Sequence, residues 1–139
     1  MSRPESEYLE QLGWALYNFQ SLEWIVVWQI CGVDADTARI AETARKTAGQ
    51  IAAEFKAEAA GSADLVSLAD RFEELAKRRN DLAHSRPATN ESGADLRLQQ
   101  LYRWDLARQI SPKWIDEAWL NKFTTDVQVL KRDMAALRA

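Results

Sequence analysis

Leu9, Leu12, Leu16, Phe19, Val26 and Ile30 follow one another at steps of three and four residues, with one gap that Glu23 fills. Such steps return to the same face of an α-helix. The chain between Glu5 and Cys31 carries no proline, and Gly32 supplies a helix-ending residue. This stretch is therefore expected to form one long helix with an acid set into its apolar stripe. Two further stripes have the same spacing. Leu65, Leu68, Phe72, Leu75 and Leu82 form one, with Arg79 in the place of an apolar residue, and Leu120, Phe123, Val127, Leu130, Met134 and Leu137 form the other. Helices are expected from about Ser62 to His84, where Pro87 disfavours continuation, and from about Asp116 onward.

Between the first two stripes, residues 36 to 60 are rich in alanine, with Ile40, Ile51 and Phe55 as the main large apolar groups. They read as a second helix, placed at the periphery for want of bulk. Residues 87 to 111 are polar and irregular. They hold a turn signal at Asn90-Glu91-Ser92-Gly93 and a brief alternation, Leu96-Arg97-Leu98-Gln99, that suits a short strand. The expected fold class is all-α. It is an up-down-up-down four-helix bundle with an irregular or short β-hairpin insert, about 86–111, between the third and fourth helices. At 139 residues the whole chain, 1–139, reads as a single domain.

In that topology the first and third helices run parallel. Glu23, eight residues before Cys31, and Arg79, five before His84, then lie at a similar level. An ion pair between them is expected, since neither charge is tolerated in a core alone. The first helix also carries Trp14, Tyr17, Ser21, Trp24 and Trp28 on roughly the face opposite its leucines. A helix that is apolar on both faces must cover both. The expected cover is a second copy, giving a homodimer through Trp14, Tyr17, Trp24 and Trp28. The alternative is that the insert folds over them with the help of Trp104 and Trp114.

Composition narrows the chemistry. The net charge is −3, so broad electrostatic capture of nucleic acid is not expected, and any RNA contact must come from a local patch. One cysteine and one histidine cannot supply a zinc-type ligand set, so neither a metal nor another cofactor is expected. A lone cysteine suits a reducing cytoplasm. The polar start, Met1-Ser2-Arg3-Pro4-Glu5, does not read as a secretory signal. No apolar run reaches the roughly 18 residues of a membrane span.

The only histidine stands in Arg79-Asn80-Asp81-Leu82-Ala83-His84, after Lys77 and Arg78. An imidazole exchanges protons near neutral pH, and a guanidinium holds phosphate oxygens. On a straight helix Asn80 and His84 share a face, whereas Arg79 and His84 point about 140° apart. The two come together only through a bend, the reach of the arginine or a second subunit. A symmetric dimer with two such helix ends across a groove would supply two of each. The same residues also suffice to end a helix. A cation there interacts favourably with the helix dipole, Asp81 can pair with Lys77 four residues earlier, and Arg79 can simply neutralise Glu23.

The six-residue run resembles the motif of the HEPN superfamily, in which an arginine with a polar neighbour is followed, after four to six residues, by a histidine near the end of a helix in an all-α domain. The helical pattern and the acid in Leu22-Glu23-Trp24 extend the resemblance more loosely along the chain. The resemblance implies a metal-independent endoribonuclease acting as a homodimer, in a toxin–antitoxin or other defence setting with a cognate antitoxin protein as partner. It implies catalytic roles for Arg79 and His84, an auxiliary role for Asn80 and a supporting one for Glu23. Lys77, Arg78 and Arg86 would form the RNA-binding patch. The superfamily also includes non-catalytic members that bind partners or nucleotides, and this alternative stays open. The insert is foreign to the motif's core pattern and would either lid the groove or block it.

Overall fold

The computed structural model describes residues 3–89, 96–100 and 113–138. They form a mostly helical structure with a small antiparallel sheet. The helices are α1 (Ser6–Cys31), α2 (Thr37–Ala44), α3 (Ala48–Ala59), α4 (Ala63–Ala83) and α5 (Glu117–Arg138). The strands are β1 (Arg86–Thr89), β2 (Leu96–Gln100) and β3 (Lys113–Ile115).

Local chemistry sets the ends of α1 and α4 where the sequence places them. Gly32 closes α1 at φ 84°, a backbone angle that costs glycine little, and its N–H donates to the Trp28 carbonyl. Ser62 caps α4 by accepting from the Leu65 N–H. The expected stripe of α1 is displaced slightly. Tyr8, Ala15, Phe19, Leu22 and Val26 are fully buried, while Leu9, Leu12, Leu16 and Ile30 flank that line half-buried.

The expected second helix is two helices. Thr47 accepts from the Gln50 N–H at 3.2 Å, and the Gln50 side chain accepts from the Thr47 N–H at 3.0 Å. This reciprocal cap satisfies backbone donors that a continuous helix would otherwise pair, and so starts α3 afresh. Nor is α3 peripheral. Ala48, Ile51, Ala52, Phe55 and Ala59 are buried, and α3 packs along α4 and against α1. Alanine lets backbones approach closely, so a stripe poor in bulk is still a core stripe.

The order of the helices differs from simple alternation among four. α4 and α5 are antiparallel, since Arg78 meets Asp126 at 2.8 Å and Arg71 meets Asp133 at 2.9 Å. The three-residue turn after α3 makes α3 and α4 a hairpin. By contrast, α1 and α5 enter the core at the same end. The Tyr8 hydroxyl donates to the Ile115 carbonyl at 2.6 Å, and Phe19 stacks on Phe123 with ring centres 6.0 Å apart. The last helix therefore runs with the first, and α4 runs against α1 rather than parallel to it. The extra helix created by the Thr47 cap changes the number of chain reversals. Phe72 joins the pieces at the centre, stacked on Phe19 and edge-on to Phe55.

The insert is more than a hairpin. The strands pair antiparallel in the order β1-β2-β3, with Arg86 opposite Gln99 and Leu98 opposite Ile115. β2 matches the expected alternation, and β3 lies past the expected boundary. The turn signal at 90–93 lies outside the described residues. Arg97 anchors the sheet, its side chain only 8% exposed. Its guanidinium holds both carboxylate oxygens of Glu117 at 2.6 and 3.0 Å and lies 4.5 Å above the Tyr8 ring. Tyr8 also accepts from the Leu98 N–H at 3.0 Å. These contacts fix the sheet on the starts of α1 and α5, beside the end of α4.

Candidate active site at the end of α4

Leu68, Phe72, Leu75 and Leu82 bury one side of α4 and place Arg79 on that same side near its end. The helix stops where the sequence expects. His84 is the last residue of the turn, at φ −98° and ψ 4°, and its N–H donates to the Asn80 carbonyl at 3.0 Å. The Ser85 hydroxyl then closes on the Leu82 carbonyl at 2.6 Å, and Pro87 sits in β1.

Around this turn the charged residues divide into two sets. The first set is committed to structure. Arg78, 19% exposed, donates to Asp126 and lies over the Phe123 ring at 5.6 Å. It therefore faces α5 and leaves the expected RNA-binding patch. Burial by itself would raise the Asp126 carboxyl, but hydrogen bonds from Arg78 and Lys122 outweigh it and hold the group below its usual range. Asp81 does not pair with Lys77. It accepts from Gln100 of β2 at 2.8 Å and from Lys113 of β3 at 3.2 Å, which ties both strands to the motif's own turn. Lys77 lies 3.8 Å from Glu73 instead and stays exposed, as does Arg86, whose guanidinium donates to the Ser85 carbonyl at 3.0 Å.

The second set is uncommitted. Asn80 and His84 are exposed, and among the described residues neither side chain has a hydrogen-bond or ion-pair partner. Arg79 is half-buried and, among the described residues, makes no ion pair within 4.0 Å. Glu23, also half-buried, lies within electrostatic reach of it. Burial pushes the Glu23 carboxyl up, and the Arg79 charge draws it back only in part. The expected Glu23–Arg79 ion pair is thus a coupling across a gap rather than a contact. Because α1 and α4 are antiparallel, the two residues do not sit at one level of the core, and only their charges interact. Among the described residues no hydrogen-bond partner of the guanidinium appears.

The aromatic residues of α1 lie elsewhere. Trp14, Tyr17 and Trp24 are 53%, 65% and 49% exposed, and Trp28 is half-buried. Trp14 stacks flat on Tyr17, and Trp28 meets Trp24 edge-on. This face is opposite the buried side of α1, which packs along α5 and α3. α4 lies across the core from it, so a dimer through the aromatic face would not bring two motifs together. Trp114 sits in β3, half-buried, and Trp104 lies outside the described residues.

Sequence reasoning missed the groups that hold the motif's surroundings in place: Tyr8, Arg97 and Gln100. Arg97 sits between two leucines of a strand, and nothing local marks it as the inward residue. Compared with protein-family models, curated proteins and solved structures, the chain finds no significant match. Among the described residues, no group of three His, Cys, Asp or Glu side chains is placed to hold a metal ion. No described helix is long and apolar enough to cross a membrane.

Proposed function

We propose that this chain is a HEPN-like, metal-independent endoribonuclease of the cytoplasm. The observation that carries the reading is the division of labour at the end of α4. Arg78 and Asp81 are taken up by α5 and the sheet, while the three residues that match the HEPN motif have no hydrogen-bond or ion-pair partner for their side chains among the described residues.

In this reading His84 takes the proton of a ribose 2′-hydroxyl, and the freed oxygen attacks the adjacent phosphorus. Arg79 holds the non-bridging oxygens as charge gathers on them. Asn80, on the same face as His84, orients the phosphate. The 5′-oxygen leaves and takes a proton from water, and the 2′,3′-cyclic phosphate remains. Lys77 and Arg86 are the exposed cations that steer RNA to this end of the helix.

The test is cleavage of a structured RNA in EDTA. Cyclic-phosphate ends are expected with wild type and none with His84→Ala, whose circular dichroism should match wild type. Cleavage at the wild-type rate by His84→Ala would refute the assignment.

A second reading is favoured by a specific observation, the half-exposed aromatic face of α1. It makes the chain a non-catalytic HEPN-like interaction module that binds another protein, a cognate antitoxin for instance, through that face. Clean wild-type protein would then cleave nothing.

A further inference from the structure

We infer that a hollow at Gly13, on the exposed side of α1, is a binding site for a guanidinium group, with the Glu10 carboxylate as its counter-charge. The inference does not depend on the ribonuclease reading. It starts from Gly13, which lies well inside α1. Glycine in a helix interior is costly relative to alanine, because it leaves the unfolded chain freer and adds no contact. Here neither packing nor backbone asks for it. A Cβ at Gly13 would meet nothing within 4 Å, and the positive-φ glycines among the described residues are Gly32 and Gly61. What the missing side chain does is leave space.

That space has walls. Helical side chains lean toward the N-terminus of their own helix, so Trp14 and Tyr17 reach over the turn before them. Together with Glu10, Gln11 and Gly13 they line an open hollow of about 560 Å³. Small-ligand sites usually measure about 300–1,000 Å³. The two rings are stacked, with centres 5.9 Å apart and planes 8° from parallel. A further planar group can continue such a stack.

Two acceptors at the hollow lack donors. Glu10 is exposed and makes no ion pair among the described residues. The Oε1 atom of Gln11 is buried and has no hydrogen-bond partner among them. A buried acceptor without a donor is costly to keep. The last torsion of a glutamine is soft, so the oxygen can turn toward a donor that enters the hollow.

Charge and shape select the ligand. Among the described residues Glu10 is the one charged side chain that lines the hollow. A phosphate or carboxylate is repelled there, whereas a cation is drawn both by the carboxylate and by the aromatic faces. A guanidinium suits the site better than an ammonium. It is planar and weakly hydrated, so it stacks on the rings. It offers two parallel N–H groups to the carboxylate and keeps further donors for the Gln11 oxygen. An ammonium is a compact, strongly hydrated charge and does neither.

The experiment titrates butylguanidine into the full chain and follows the Trp14 indole N–H by NMR, assigned with Trp14→Phe. Parallel titrations use butylamine and two capped tripeptides, one with a central arginine and one with a central lysine. Both guanidinium probes should shift the Trp14 signal with a Kd below about 10 mM, and each ammonium probe should bind several-fold more weakly than its counterpart. Tighter binding of the arginine peptide than of butylguanidine places the group on a partner protein, and equal binding places it on a small molecule. Glu10→Gln should weaken binding about tenfold, the loss expected for one charge-assisted contact at an exposed site. Gly13→Leu should abolish binding yet melt at or above the wild-type temperature, since leucine is the better helix former. The inference is overturned by the absence of a shift at about 10 mM butylguanidine, by equal binding of the ammonium probes, or by wild-type affinity in either variant. A Gly13→Leu chain less stable than wild type would overturn it too, because the glycine would then serve the fold. None of these readouts involves RNA, so the site and the ribonuclease reading fail separately.

Discussion

Replacing Arg97 by alanine should loosen the junction between the sheet and the helices, and the structure sets the size of the effect. The guanidinium makes two charge-assisted hydrogen bonds to Glu117, donates to the Leu96 carbonyl at 2.8 Å and covers the Tyr8 ring. Removing one partner of a fully buried pair costs about 3–5 kcal/mol, because the other charge is stranded. Here Glu117 is 43% exposed and can take up water once Arg97 is gone, which lowers the cost. Adding back a cation–π contact of about 1 kcal/mol gives an expected loss of about 3 kcal/mol. Arg97→Lys should lose less, about 1–2 kcal/mol, since it keeps the charge but not the paired geometry.

Urea unfolding followed by circular dichroism measures both losses. The pH dependence adds an independent check. The hydrogen bond from Arg97 is the largest influence on Glu117 and holds its carboxyl below the ordinary 4.5. A carboxyl depressed in the folded state contributes stability above its unfolded pKa and loses it as pH falls through the folded one. The gap between wild type and Arg97→Ala should therefore narrow below about pH 4.5. A loss under about 1 kcal/mol at pH 7, or a gap that stays constant into acid, would refute the account of Arg97 as anchor.

Glu23 should behave in the opposite sense. Its carboxyl is raised by burial, so its contribution is full in acid and is lost as pH rises through the folded value. Thermal melts of Glu23→Gln should match wild type in acid and equal or exceed it at pH 8. A loss of several kcal/mol at pH 8 would mean a tight ion pair with Arg79. Phe72→Ala removes the ring that links Phe19 and Phe55 at a fully buried position, and should cost about 3–5 kcal/mol in urea unfolding. Asp81→Ala strands the amide of Gln100, which is 4% exposed, and should cost about 1–3 kcal/mol. Hydrogen exchange should rise in β2 and β3 while the middle of α1 stays protected.

Much of this protein was legible from residues that act on their immediate neighbours. Gly32, Ser62 and Pro87 mark helix ends because cap geometry and proline sterics are properties of a few adjacent residues. The same locality exposed the aromatic stripe of α1 and the turn that ends at His84. The apolar count misled where size stood in for burial. Ala48, Ala52 and Ala59 are as buried as leucines elsewhere, and the Thr47–Gln50 cap that starts their helix lies inside the alanine-rich stretch that reads as one helix.

The sequence by itself determined the periods, the caps and the candidate residues, because each depends on spacing along the chain. Only the tertiary structure decided the partners. Asp81 had Lys77 one turn away and took Gln100 and Lys113 from strands remote in sequence. Arg78, in the same basic run as Arg79, went to α5. Arg79 and Glu23 were brought within reach but not into contact, because the extra reversal set α4 against α1 instead of along it. Which charges at the end of α4 are bound and which are free follows from chain direction and distance in space, and neither is encoded by local spacing.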